Sequence, residues 1–233
     1  MLEQLKKKVC AANKSLSNYD LVKFTWGNVS EISSDRKYVV IKPSGVSYKT
    51  MKPSDMVVVD MKGKVVGGKL KPSCDVMTHI EIYKNFKNVN GVCHTHSTFA
   101  TSWAQIHKDI PALGTTHADN FNGDIPCTGK MSKKEIKNNY ELNTGKVIVK
   151  EFKKRKIKPD EMPGVIVNSH GPFTWGNSAK DAVKNSVVLE EVAKMAFISR
   201  ALEPKYATLK IDKNLLKKHF YRKHGKKATY GQK

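Results

Sequence analysis

The chain has 233 residues, 39% of them hydrophobic, and Lys plus Arg outnumber Asp plus Glu by 42 to 21, a net charge of +21. That length suits one large domain that needs no disulfide or metal merely to fold. Dense apolar clusters such as Met56-Val57-Val58-Val59 exclude a disordered chain, and no apolar run approaches the ~20 residues of a membrane-spanning helix. Only four of the basic residues are Arg (36, 155, 200 and 222), and the Lys are spread along the whole chain. Arg is the usual carrier of phosphate and base forks, so the charge reads as a solvated surface rather than a specific nucleic-acid face.

Residues 2–16 read as an amphipathic helix, with Leu2, Leu5, Val9 and Ala12 on one face. Met1 to Cys10 lacks the apolar core of a secretory signal. Cysteines 10, 74, 93 and 127 include no Cys-x-x-Cys pair, so they are expected to be reduced thiols of a cytoplasmic protein. Short strands follow at 28–33, 38–42, 56–61 and 64–66, with turns at Ser33-Ser34-Asp35 and Lys62-Gly63-Lys64. A helix fits 75–86, a buried strand 91–96 and a helix Ser97 to Gln105. Residues 145–156 look helical and close on Lys153-Lys154-Arg155-Lys156, where cations favour the helix dipole. A strand at 165–168 precedes the longest helix, 179–202. Hairpins interleaved with helices predict an α/β fold: one domain over 1–233, with a mostly antiparallel central sheet covered by helices. No Gly-x-Gly-x-x-Gly, P-loop or Gly-x-Ser-x-Gly string is present, so nucleotide and serine-hydrolase chemistry have no support in the sequence.

His94-Thr95-His96 lies on the predicted strand 91–96, where residues i and i+2 share a face and can reach one ion. His170 follows a second apolar strand and can meet that pair from a loop. Three neutral imidazoles with an open position suit a catalytic Zn²⁺. Asp75 could add a carboxylate or simply cap the helix it begins. Histidines 79, 107, 117, 219 and 224 are expected at the surface or in supporting roles.

Several strings occur in order: Thr25-Trp26-Gly27-Asn28-Val29-Ser30, Ile41-Lys42-Pro43-Ser44-Gly45, Pro72-Ser73-Cys74-Asp75, His94-Thr95-His96-Ser97, Gly114-Thr115-Thr116-His117-Ala118-Asp119, Ser169-His170-Gly171-Pro172-Phe173 and Arg222-Lys223-His224-Gly225 with Tyr230-Gly231-Gln232. With these the chain resembles the class II aldolase/epimerase family over essentially residues 1–232. The resemblance implies that family's α/β/α fold and one divalent ion per subunit, usually zinc with others able to substitute, on Asp75, His94, His96 and His170. It puts a substrate phosphate among Gly27, Asn28, Ser44, Gly45, Ser73 and Cys74, with Lys42 in the same site. It makes Asp119 and Tyr230 the two acid/base residues. It also implies a homotetramer with active sites between subunits. Glycines at 27 and 45 would let the backbone approach a phosphate, with Ser44, Ser73 and peptide N–H groups around its oxygens.

Within the family, sugar-phosphate aldolases typically carry Glu where this chain has Asp75. The Asp75, Thr78-His79, Asp119 and Tyr230-Gly231-Gln232 pattern resembles the epimerases instead. The implied substrate is a phosphorylated ketopentose, with L-ribulose 5-phosphate and D-xylulose 5-phosphate interconverted by zinc-assisted retro-aldol cleavage of C3–C4 and re-addition. Most members have Ser where this chain has Cys74, and often Tyr where it has Asn120. Two rivals stay open at this point: a class II sugar-phosphate aldolase, and a basic nucleic-acid-binding protein without activity.

Overall fold

The computed structural model describes residues 2–203, 205, 209–225, 228 and 229. In chain order the elements are α1 (Leu2–Asn18), β1 (Asn28–Ile32), β2 (Tyr38–Ile41), β3 (Val57–Asp60), β4 (Val65–Gly67), α2 (Val76–Asn85), β5 (Gly91–His94), α3 (Thr98–Gln105), α4 (Thr115–Ala118), α5 (Lys133–Lys137), α6 (Tyr140–Arg155), β6 (Gly164–Ile166), β7 (Pro172–Gly176), α7 (Ala179–Leu202) and α8 (Lys213–His224). The strands form one sheet in the order β4-β3-β2-β1-β5-β7-β6. Every ladder in it is antiparallel. The expected α/β fold with an antiparallel sheet under helices is therefore the observed one.

Period-2 alternation divides the core between the sheet's two faces. Val39, Ile41, Val57 and Val59 join a large apolar cluster with residues of α2, α3, α6 and α7. Their neighbours Val40 and Val58 point the other way, into a second cluster under α1 with Leu5, Val9 and Leu16. Each such side chain contributes ~1.5–3 kcal/mol on burial, so a one-residue register slip would expose both sets. Buried Asn13 fixes α1 on this face: its Nδ2 donates to the Val29 carbonyl at 2.9 Å and its Oδ1 accepts from the Val29 amide at 2.8 Å.

The differences from the sequence reading have local causes. The strand expected at 91–96 ends at His94, so His96 reaches the site from a loop rather than by strand alternation. Strand β7 went unpredicted because Pro172 opens it, and a proline is tolerated at a strand's first residue. Helix α6 begins at Tyr140 rather than 145, behind a left-handed Asn139 (φ 52°). Gly145, which reads as a helix boundary, is interior: a Cβ there would stand 2.5 Å from the Glu81 Cβ, so its bareness lets α2 and α6 pack closely. Helix α8 was missed inside a basic stretch that buries only Phe220. Arg155 does close α6, with Lys153 and Lys154 in its last turn. Among the described residues no helix is long and apolar enough to cross a membrane.

Candidate active site

The sheet register builds one end of the site. Asn28 of β1 pairs with His94 of β5, and His94 pairs with Phe173 of β7. Three neighbouring strands thus deliver an amide, an imidazole and a ring to one line across the sheet. The Phe173 ring stacks on His94 at 4.1 Å between centroids. His94 Nδ1 donates to the Pro172 carbonyl at 2.9 Å. That bond puts the proton on Nδ1 and leaves a lone pair on Nε2, which lies 3.1 Å from His96 Nε2. His170 joins them: one nitrogen from each of the three rings falls within 4.8 Å of the others.

The donor set fits a divalent ion. Tetrahedral ligands at ~2.0–2.1 Å from zinc stand ~3.3 Å apart, close to the His94–His96 separation. Burial, with the neighbouring His94 and His96, pushes the His170 imidazole down to about 3. Burial and His94 also lower His96. These two imidazoles are therefore neutral near pH 7, as metal ligands must be.

Asp75 sits at the N-cap position of α2 but makes no capping bond. Its Oδ2 accepts from Asn28 Nδ2 at 2.7 Å, with Ser73 Oγ at 3.5 Å. Asp75 does not belong to the tight three-histidine group, although it walls the same cavity. Burial opposes its ionisation, but His94, His79 and the Asn28 bond prevail and its pKa falls.

Behind Asp75 lies a ladder that sequence reading did not find. His79 Nδ1 meets Ser30 Oγ at 2.7 Å, and Ser30 Oγ meets Tyr83 Oη at 2.8 Å. Both ladder residues of α2 are buried, and burial drives His79 down to about 3. His79 and His117 are thus interior groups, so of the two expected places, surface or supporting role, theirs is not the surface. The helical i, i+4, i+8 spacing of Asp75, His79 and Tyr83 was the available signal.

A cavity of about 630 Å³ opens over this centre and is lined by Gly27, Asn28, Lys42, Ser44, Gly45, Ser73, Cys74, Asp75, His94, His96 and His170, among others. The structure therefore gathers every sequence-predicted phosphate and metal residue around one space. Gly27 has φ +76°, and a Cβ there would stand 2.8 Å from the His94 carbonyl oxygen. Gly45 is also left-handed, at φ +69°. Lys42 is only 2% exposed, and burial depresses its ammonium to about 8. The amides of Ser44 and Ser73 already donate to the Lys71 and Lys42 carbonyls, each at 2.9 Å. From these two residues the hydroxyls, not the amides, remain for an anion. Tyr140 and Glu141 also line the cavity. Both escaped sequence reading because the start of α6 was placed too late.

Asp119 stands elsewhere. It does not line this cavity. Its carboxylate receives His219 Nδ1 at 3.0 Å and the Arg222 guanidinium at 3.1 Å, with Lys223 Nζ at 3.3 Å. Burial works against the anion, but the bonds from His219, Lys223 and Arg222 outweigh it and lower the pKa. Tyr230 lies outside the described residues.

Residues 7–197 match the family described as Class II Aldolase and Adducin N-terminal domain, and the chain belongs to that family. A curated relative, L-ribulose-5-phosphate 4-epimerase UlaF of Salmonella paratyphi B (strain ATCC BAA-1250 / SPB7), is 56% identical over 232 residues, covering 100% of both chains. Among solved structures, an L-fuculose 1-phosphate aldolase superposes with a TM-score of 0.77 at 22% identity, over 93% of this chain and 94% of the other. L-fuculose 1-phosphate aldolase from Glaciozyma antarctica PI12 gives a TM-score of 0.75 at 20% identity, over 97% and 84%. At such identities these two speak for the fold alone.

Proposed function

We propose that this chain is an epimerase interconverting L-ribulose 5-phosphate and D-xylulose 5-phosphate. The observation that carries this is the 56% identity, over the full length of both chains, to an L-ribulose-5-phosphate 4-epimerase. The cavity joining three histidines to a lysine and a glycine-bearing loop supports it.

Inverting C4 requires a bond to break there, and C4 has no adjacent carbonyl to acidify its proton. The C2 ketone makes C3–C4 the bond that can open. A divalent ion, zinc in this reading and one per subunit, would supply Lewis acidity for the charge that develops at the ketone. Asp75, His94, His96 and His170 would hold it. Gly27, Asn28, Ser44, Gly45, Ser73 and Cys74, with the Lys42 ammonium, hold the 5-phosphate. That grip keeps the two-carbon aldehyde fragment in place while its carbonyl turns over, so that the C3–C4 bond re-forms on the other face. One proton carrier takes the C4 hydroxyl proton and a second returns a proton from the opposite side. Asp119 and Tyr230 are assigned to these roles.

Because Asp119 does not line the cavity of its own chain, it is assigned to a neighbouring subunit's site, in a homotetramer. Exposed apolar residues support an interface: Ile106 is 61% exposed and Phe197 52%, and both wall one surface cavity. A cytoplasmic location fits the four free cysteines. The test is a coupled assay for D-xylulose 5-phosphate formed from L-ribulose 5-phosphate. Net release of glycolaldehyde phosphate instead would assign the chain to the aldolases.

A further inference from the structure

His170 reaches the histidine centre from a loop rather than from a strand. It lies on the loop between β6 and β7, after Ser169 in a left-handed conformation (φ 59°). His94 has its outer nitrogen fixed by the Pro172 carbonyl. The corresponding Nδ1 of His170 meets the Tyr140 hydroxyl at 3.3 Å, the one hydrogen-bond partner of that ring among the described residues. We infer that Tyr140 is a positioning residue, holding the His170 ring so that its Nε2 faces His94 and His96.

The surrounding structure is built to deliver that hydroxyl. Tyr140 is the first residue of α6, and the chain enters it through Asn139 in the left-handed region (φ 52°, ψ 51°) without a side-chain cap. Asn is one of the few non-glycine residues that adopts this region readily, so the turn into α6 forms there without strain. The same turn is tied down from α2, where Thr78 Oγ1 donates to the Glu141 carbonyl at 2.6 Å. Thr78, a turn beyond Asp75 on α2, thus ties down the start of α6, from which Tyr140 reaches His170 on its loop. Groups that orient a ligand's second nitrogen typically change metal affinity ~10–100-fold.

This inference rests on the metal reading of the three histidines, and its test separates the two. Protein stripped of metal is titrated with Zn²⁺ against a chromogenic chelator, and with Co²⁺ while the visible spectrum is recorded. Tyr140→Phe removes only the hydroxyl. It is expected to weaken Zn²⁺ binding roughly 10-fold or more and to alter the Co²⁺ bands, while the metal-free protein melts as the wild type does. In a His170→Asn background the same change should have no further effect on affinity, as a contact acting through His170 requires. Unchanged affinity and spectrum in Tyr140→Phe would overturn the inference and leave the metal reading intact. A wild-type protein that binds no ion would overturn both. A variant-free check is the ¹⁵N signature of His170 in the zinc-loaded wild type. A protonated Nδ1 supports the inference, and a metal-bound Nδ1 overturns it.

Discussion

The histidine centre and the Asp119 station are two different kinds of site. At the first, strand register places Asn28, His94 and Phe173 side by side, and burial keeps His96 and His170 neutral. Its three histidine nitrogens come together within one chain. At the second, a part-exposed carboxylate is gripped by His219, Arg222 and Lys223 of α8. Against its burial, that grip lowers the Asp119 pKa and holds the carboxylate apart from the cavity of its own chain. The contrast teaches that one chain gathers all the residues proposed for the metal and the phosphate around a single cavity, whereas the proposed proton carrier stands apart from it.

The largest expected effect comes from breaking the first region. His94→Asn, His96→Asn and His170→Asn should each lower metal content, and turnover should fall roughly 10³-fold or more if several kcal/mol of electrophilic stabilisation is lost. Metal analysis of the purified variants is the check. A triple variant with a full complement of metal would remove the assignment.

Breaking the second region should leave metal content alone. Asp119→Asn is expected to cut turnover roughly 10²–10⁴-fold, the usual range for losing a proton carrier, and Tyr230→Phe likewise. The comparison sharpens when subunits are mixed. A His94→Asn protein and an Asp119→Asn protein, unfolded and reassembled together, should regain activity that neither has alone, because some interfaces then pair an intact metal centre with an intact carboxylate. No recovery in verified mixed oligomers would mean that Asp119 does not act across an interface.

The sheet and the histidine centre were legible in the sequence because their signals are short-range. Val57-Val58-Val59 alternates over adjacent residues, and His94 and His96 are two apart. Even so, the reason offered for the histidine pair was incomplete. The strand stops at His94, and the loop beyond it, not strand alternation, brings His96 Nε2 within 3.1 Å of its partner. What stayed hidden depends on long-range contact or on backbone that side-chain patterns do not report. The Tyr83–Ser30–His79 ladder joins residues 49 and 53 apart. Tyr140 reaches His170 across 30 residues, from a helix whose start is set by a left-handed Asn139. Strand β7 was masked by Pro172 and α8 by its charges. The separation of Asp119 from the cavity had no sequence signal at all.

A smaller effect tests whether the phosphate side belongs with the buried centre. Burial depresses Lys42 to about 8, so its positive charge is present below that pH and lost above it. Inhibition by inorganic phosphate should therefore weaken as pH rises through about 8. The loss should be roughly 10–100-fold, the worth of one charge-assisted hydrogen bond at ~1.5–3 kcal/mol. Lys42→Met should bind phosphate weakly at every pH and show no break in that range. A wild-type profile flat through the same interval would place Lys42 outside the phosphate's reach.

The smallest effect concerns Cys74, which lies between Ser73 and Asp75 on the cavity wall. Its thiol is raised by burial and by the Asp75 charge, so near neutrality it stays protonated and offers only a weak S–H donor. A serine hydroxyl at the same place is a better donor and approaches an anion more closely. Because Asp75 and Cys74 are consecutive, the gain is confined to one hydrogen bond, net ~0.5–1.5 kcal/mol, or about 2- to 10-fold in affinity. Cys74→Ser should therefore lower KM by that factor and leave kcat unchanged, since the bond is present before and after C3–C4 opens. Cys74→Ala supplies the other limit: a KM equal to wild type would mean the thiol contributes nothing and the backbone alone serves the phosphate at this position. If Cys74→Ser changes kcat instead of KM, the side chain is acting on neighbouring Asp75, and position 74 belongs with the metal centre rather than with the phosphate grip.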